Sequence, residues 1–97
     1  MSMRYVESYV HKAQVGVLLE LEAGADSARE SDEFRQLAKD LVLQVAAGKA
    51  KSPSVLLEQR FIKDQEQSVS HRIYAVSTML NTSIRITRFV RYDADAA

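Results

Sequence analysis

Two runs rich in β-branched and aromatic residues, 4–11 and 14–21, lie almost next to each other near the start of the chain. Such runs predict β-strands, and the two residues between them, Lys12-Ala13, predict a tight hairpin connection. With that turn, the residue numbers of paired positions sum to 25. One sheet face would then carry Val6, Ser8, Val10, Val15, Val17 and Leu19, and the other Tyr5, Tyr9, His11, Gly16 and Leu18.

The segment "SDEFRQLAKDLVLQVAAGK" predicts a long amphipathic helix over residues 32–47. Ser31 or Asp32 can cap its start, and Gly48 stands where a left-handed residue often ends a helix. A helix of this kind must cover a sheet. Its apolar stripe consists of Phe34, Leu37, Ala38, Leu41, Val45 and Ala46.

Two shorter helices and a final strand complete the pattern. Ser52 can cap a helix that starts at Pro53, and Ser68 can cap one over residues 69–80. The segment "SIRITRFVRY" alternates like a half-buried strand, although Arg88 breaks its apolar row. The order predicts an α+β fold: two layers, with a three-stranded antiparallel sheet (β-β-α-α-β) and helices on one face.

Size and composition predict one domain spanning residues 1–97. Thirteen basic residues balance thirteen acidic ones, so the whole chain has no net attraction for nucleic acid or anionic membranes. The absence of Cys excludes disulfides and thiolate metal sites. With no signal-peptide core and no apolar run of membrane-spanning length, a cytoplasmic location is expected.

The sequence contains no recognisable set of catalytic residues. His11 and His71 lack spaced ligand partners, and neither a G-x-S-x-G turn nor a glycine-rich phosphate loop is present. We therefore expect no enzyme activity, no metal and no cofactor. The last strand offers an alternative, an RNA-binding surface that combines arginines with aromatic rings. Its residues are Arg85, Arg88, Phe89, Arg91 and Tyr92.

Three separated segments resemble the core, or dimerisation, module of the elongation factor Ts family. They are "SYVHKAQVGVLLELEAGADSARESDEFRQLAKDLVLQVAA", "LLEQRFIKDQEQSV" and "IRITRFVRYD", and they occur in the family's order. The resemblance implies the same two-layer α+β module and pairing through the sheet surface. It also implies a protein that binds elongation factor Tu and speeds GDP release without chemistry of its own.

The loop after the second strand departs from that family. The family's segment runs Asn-Cys-Glu-Thr-Asp-Phe-Val-Ala-Arg-Asn, and its Asp-Phe pair enters the GTPase near the magnesium site of the nucleotide. Asp26 matches the Asp, but Ser27 replaces the Phe and Ala28 the Val. These three residues and His11, which matches the family's His, are the predicted partner-binding residues. The lost aromatic anchor predicts reduced exchange activity.

Two other departures from the family accompany a prediction about assembly. The family's N-terminal helical domain has no counterpart before Met1, and the turn after His11 is one residue shorter than the family's. A homodimer is predicted, and a homodimeric module that lost exchange is the alternative function, ahead of the RNA-binding module. The predicted dimer interface consists of Tyr5, Tyr9, Leu18 and Phe89.

Overall fold

The computed structural model describes residues 2–95 and shows a three-stranded antiparallel sheet packed against helices. This confirms the predicted α+β class and the predicted antiparallel sheet. The strands of the sheet are β1 (Met3–His11), β2 (Val15–Ala23) and β5 (Ile84–Asp93), in the order β1-β2-β5. The other elements are a 3-10 helix (Asp26–Glu30), α1 (Asp32–Gly48), α2 (Pro53–Glu58), a small hairpin of β3 (Arg60–Phe61) and β4 (Asp64–Ser68), and α3 (Val69–Leu80).

The first hairpin forms where expected, but the predicted register is wrong by one residue. Lys12 and Ala13 both adopt the left-handed conformation, with φ of 52° and 59°, and the Gln14 N–H donates to the His11 carbonyl at 2.9 Å. His11 pairs with Val15, so three residues rather than two separate the paired strands. Paired positions consequently sum to 26.

This one-residue shift exchanges the faces of β1, because successive side chains of a strand point to opposite sides. Tyr5 pairs with Leu21 and Tyr9 with Val17, so both tyrosines face the helices. Val6 and Val10, predicted to share a face with Val17 and Leu19, lie on the opposite face and are exposed. One hydrophobic cluster joins the sheet to the helices. Its fully buried members include Leu19, Leu21, Phe34, Leu37, Leu41, Leu56, Val69 and Val76.

A β-bulge in β5 explains why Arg88 interrupts the apolar row. Glu20 pairs with Arg88 and Leu21 with Ile86, which leaves Thr87 as the extra residue. Ile86, before the bulge, is buried against the core, whereas Val90, after it, is exposed. The apolar residues before and after Thr87 therefore lie on opposite faces of the sheet, and not in the single row, interrupted at Arg88, that the sequence predicts.

The helix starts are as predicted, since Ser31, Ser52 and Ser68 each accept a hydrogen bond from a backbone N–H of the first turn. The end of α1 differs. Lys49, with φ of 55°, takes the left-handed position predicted for Gly48. Gly48 remains within the helix, where a Cβ would overlap the Gln59 side chain. The glycine therefore makes room for a neighbour and does not supply the left-handed turn.

The β3–β4 hairpin, absent from the sequence prediction, is held to α1 by polar groups. Gln44 is 2% exposed; its amide donates to the Gln59 side chain (3.0 Å) and the Arg60 carbonyl (3.1 Å), and accepts from the Ile62 N–H (2.8 Å). Buried Asp40 pairs with Lys63 at 2.6 Å. These contacts fix the hairpin without an apolar strand pattern.

Candidate partner-binding surfaces

The loop that carries Asp26 is tied to the end of the sheet where β2 stops. The Gly24 N–H donates to the Ser83 carbonyl at 3.0 Å, and a Cβ on Gly24 would lie 2.9 Å from the Ser83 Oγ. Glycine thus permits the close approach of this loop to the start of β5. The chain then forms the 3-10 helix, in which the Ala28 N–H donates to the Ala25 carbonyl.

Two arginines hold the other side of the 3-10 helix. Arg29 donates to the Arg4 carbonyl at 3.3 Å, and Arg35 donates to the Arg29 carbonyl at 3.1 Å. Ala28 is 4% exposed and belongs to the core cluster, so its side chain packs inward and is not presented to a partner. Asp26 and Ser27 are exposed on this anchored support.

His11 lies at the opposite end of the sheet from Asp26. The rise of about 3.4 Å per residue makes β1 about 27 Å long from Met3 to His11, and the 3-10 helix lies beyond the Met3 end. His11 Nδ1 lies 2.8 Å from the Tyr9 hydroxyl, beside a cleft of about 320 Å³ that Val15 also lines. The structure therefore does not bring the predicted partner-binding residues into one compact site.

The sheet face turned away from the helices, here called the open face, has one charged half. Across the three strands, Glu22 lies between Arg4 and Arg85, with ion pairs of 3.7 and 2.7 Å. In the next row, Glu20 pairs with Arg4 at 3.0 Å and with Arg88 at 3.5 Å. Each carboxylate is therefore shared by two guanidinium groups.

Glu20 is the most strongly held carboxylate of this half. The Thr87 hydroxyl donates to its Oε1 at 2.5 Å, and this hydrogen bond, together with Arg4 and Arg88, lowers the pKa of Glu20 below the usual range. The same hydroxyl also lies 3.2 Å from the Glu20 carbonyl. The β-bulge therefore places Thr87 on the charged half of the open face.

The other half of the open face is apolar and consists of two rows. The Leu18 row comprises Ser8, Leu18 and Val90, and the Gly16 row comprises Val10, Gly16 and Tyr92. A Cβ added to Gly16 would meet no atom within 4 Å. The apolar side chains of these rows and of the adjoining Val6 are between 54% and 69% exposed: Val6, Val10, Leu18, Val90 and Tyr92.

The four residues predicted for a dimer interface divide between the two faces. Tyr5 packs edge-on against Phe34, and Tyr9 and Phe89 are partly buried against the core. Leu18 alone of the four lies on the open face. The wrong register for β1 and the bulge in β5 account for the three misplaced aromatic residues.

The arginines of the last strand are also divided. Arg85 and Arg88 lie on the open face within ion pairs. Arg91 faces the helices, where it donates to the Ala46 carbonyl at 3.1 and 3.2 Å and lies 3.6 Å from Asp93. All three guanidinium groups thus have partners within the chain, and they form no continuous basic strip.

The described part of the chain lacks the features of two other kinds of site. Among residues 2–95, no helix is long and apolar enough to cross a membrane. Nor do the residues described here include a group of three or more His, Asp or Glu side chains placed to hold a metal ion. The surface features described above are the exposed loop at Asp26 and Ser27, the cleft beside His11 and the open face.

The fold and the surfaces described above are those of a small α+β module. Comparison with known proteins shows which proteins the module is similar to. The chain is 28% identical to elongation factor Ts of Thermodesulfovibrio yellowstonii, over 90% of this chain and 66% of that protein. It is 26% identical to elongation factor Ts of Desulforamulus reducens, over 91% of this chain and 62% of that protein. It is 28% identical to elongation factor Ts of Prochlorococcus marinus, over 90% of this chain and 62% of that protein.

These matches confirm the resemblance to elongation factor Ts that the sequence motifs indicated, as a partial core module. No family model matches the chain. The chain spans less than two thirds of the length of the curated relatives it matches. The alignment with the first relative is 131 positions long, more than this chain contains, so the match crosses segments that this chain lacks.

Proposed function

We propose that this chain is a translation elongation module of the elongation factor Ts type that binds elongation factor Tu and accelerates GDP release less than a complete factor does. Similarity over nine tenths of the chain supports the role in elongation. One observation carries the reduced exchange: the loop that matches the family's Asp-Phe motif exposes Asp26 and Ser27 and buries Ala28.

The physical reason lies in what nucleotide exchange requires. A factor speeds GDP release only if it binds the nucleotide-free GTPase more tightly than the GDP-bound one, because equal affinity shifts nothing. An inserted aromatic side chain supplies such a difference when it is buried only in the nucleotide-free state. Asp26 and Ser27 can supply hydrogen bonds, but they cannot replace the buried area of a phenylalanine, whose loss commonly costs about 2 kcal/mol or more in an interface.

The protein acts in this proposal by binding and not by catalysis. Its buried polar groups already have structural roles: Asp40 pairs with Lys63, and Gln44 holds the β3–β4 hairpin. The charged half of the open face is likewise occupied by mutual ion pairs. Among the polar surfaces discussed here, these contacts leave the exposed loop as the one that best fits elongation factor Tu.

Calorimetric titration of elongation factor Tu from the same source organism tests the proposal. We expect binding to both forms of the GTPase, with only a small preference for the nucleotide-free form. Asp26→Ala should weaken binding by about fivefold or more, since a charge-assisted hydrogen bond is lost. Glu30→Ala, at the other end of the same 3-10 helix, is the matched control. Absence of binding to either form would contradict the proposal.

The second proposed partner is another copy of this chain, docked through the apolar half of the open face. Five exposed apolar side chains on one sheet surface are more than a solvated face needs. The two apolar rows cover only about 13 by 14 Å of sheet, well below the roughly 800 Å² per partner of a standard interface. We therefore expect a weak homodimer whose population rises with concentration.

A further inference from the structure

Gly16 occupies an unusual position for a glycine in the middle strand of a sheet. Its φ is not positive, and a Cβ at this position would meet no atom of the described chain within 4 Å. Glycine weakens a strand interior and often marks the close approach of another molecule. Neither backbone geometry nor crowding within one copy therefore explains the missing side chain.

The absent side chain leaves a notch in the apolar half of the open face. Val10 and Tyr92 stand on either side of Gly16, and Leu18 stands in the next row of the same strand. A groove of about 250 Å³ runs between these two rows. The face thus presents a protruding leucine and a notch side by side on β2.

We propose that Leu18 of one copy inserts into the Gly16 notch of a second copy, and that this reciprocal contact fixes how two copies pair. The inference rests on the homodimer proposed above and adds its orientation. The two copies are related by a two-fold axis that runs perpendicular to the strands and passes between the two rows. This axis places each strand over the same strand of the second copy. The Leu18 row then faces the Gly16 row of the second copy, and the contact occurs twice, as an isologous interface requires.

In two of the three facing pairs of this arrangement a large side chain lies over a small one. Leu18 lies over Gly16, Ser8 over Val10, and Val90 over Tyr92. Packed sheets cross at about 30°, so misalignment increases away from the centre and is smallest over the middle strand β2. The leucine and the notch both lie on β2, where the match is best preserved.

The charged half of the face favours the same orientation. With the axis across the strands, the Glu20 and Glu22 rows extend beyond the overlap at opposite ends and stay in water. A two-fold axis parallel to the strands would instead place each charged row against the same row of the second copy. It would remove these ion pairs from water, which is costly. It would also set Gly16 against Gly16 and leave a void.

An exchange of the two side chains tests the arrangement. Sedimentation equilibrium over a concentration series should show a dimer for the unmodified protein. Gly16→Leu, which sets leucine against leucine, should weaken the dimer about tenfold, and Leu18→Ala should also weaken it. The double variant Gly16→Leu/Leu18→Ala rebuilds the complementary pair in reverse and should return to within about threefold of the unmodified protein.

Glu58→Leu, which adds an exposed leucine on α2, is the matched control and should leave the dimer unchanged. Urea unfolding checks that Gly16→Leu stays folded, as the open space at this position predicts. Filtered nuclear Overhauser measurements on mixed labelled samples of the unmodified protein should also show Leu18 methyl contacts to Gly16 across copies.

The possible failures are distinguishable. A monomer at every concentration would overturn the homodimer itself. A dimer that tolerates Gly16→Leu, or that the double variant does not restore, would overturn the proposed orientation and leave the homodimer standing. Intermolecular contacts between Gly16 and Gly16 would overturn it as well.

Discussion

Tyr5 packs edge-on against Phe34, with ring centroids 5.2 Å apart and ring planes at 83°. This T-shaped contact joins the edge strand β1 to the first turn of α1 and fixes the side of the sheet on which the aromatic residues of β1 lie. Burial, reinforced by the negative charge of Glu7, raises the pKa of Tyr5. The ring is therefore part of the helix-covered layer.

Tyr5→Ala should lower the free energy of unfolding by about 2–3 kcal/mol, because it removes a half-buried ring and its contact with Phe34. Urea denaturation measures the change. Tyr74→Ala, which truncates a tyrosine that is 69% exposed on α3, should change stability by less than about 0.5 kcal/mol. Equal effects of the two substitutions would contradict the placement of Tyr5.

Gln44→Leu should cost about 2–3 kcal/mol, since it leaves the Ile62 N–H and the Arg60 carbonyl without the partner that now satisfies them. Hydrogen exchange should speed up most at the Ile62 amide. Gln65→Leu, at an exposed position of β4, is the control. Unchanged protection of Ile62 would show that the hairpin does not depend on Gln44.

The pKa of Glu20 should rise towards the usual glutamate range in Thr87→Val, because the variant removes the main hydrogen bond that lowers it. NMR titration of the side-chain carboxyl measures this. A lowered pKa in the folded state means that the unfolded chain binds more protons. The stabilisation from Glu20 is therefore present above the unfolded pKa and is lost as the pH falls through the folded pKa. An unchanged titration in the variant would contradict the assignment.

Local sequence signals were sufficient for the helix starts and for the order of the main elements. Ser31, Ser52 and Ser68 cap helices as their positions predict, because capping depends on a few neighbouring residues. The register of the first hairpin depends instead on whether two or three residues separate the paired strands. Lys12-Ala13 lacks the glycine or asparagine that would identify the turn type, so the sequence does not determine it.

The bulge at Thr87 and the polar anchor Gln44 were missed for different reasons. In the sequence, one inserted residue looks the same as a single arginine out of place in an apolar row. The break at Arg88 nevertheless marks where the insertion lies. Gln44 follows Leu37 by seven residues and Leu41 by three, so it lies on the apolar stripe of α1. A polar residue on such a stripe was the available signal for a buried hydrogen-bonding role.

The candidate partner-binding residues were predicted from resemblance, and the structure adds their exposure. Sequence matching treats Ser27 and Ala28 alike, as replacements of an aromatic and an aliphatic residue. Packing separates them, because Ser27 is exposed and Ala28 is buried. Under the proposed function, position 27 is therefore the place to introduce an aromatic anchor, because a larger residue at 28 would crowd the core.

Release of fluorescent GDP from elongation factor Tu of the same source organism tests the central claim most directly. The unmodified chain should accelerate release only slightly, Ser27→Phe should accelerate it by about tenfold more, and the matched variant Glu30→Phe should behave like the unmodified chain. A gain with Ser27→Phe alone would agree with an anchor lost at this position. An unmodified chain as active as a full-length elongation factor Ts would contradict the account.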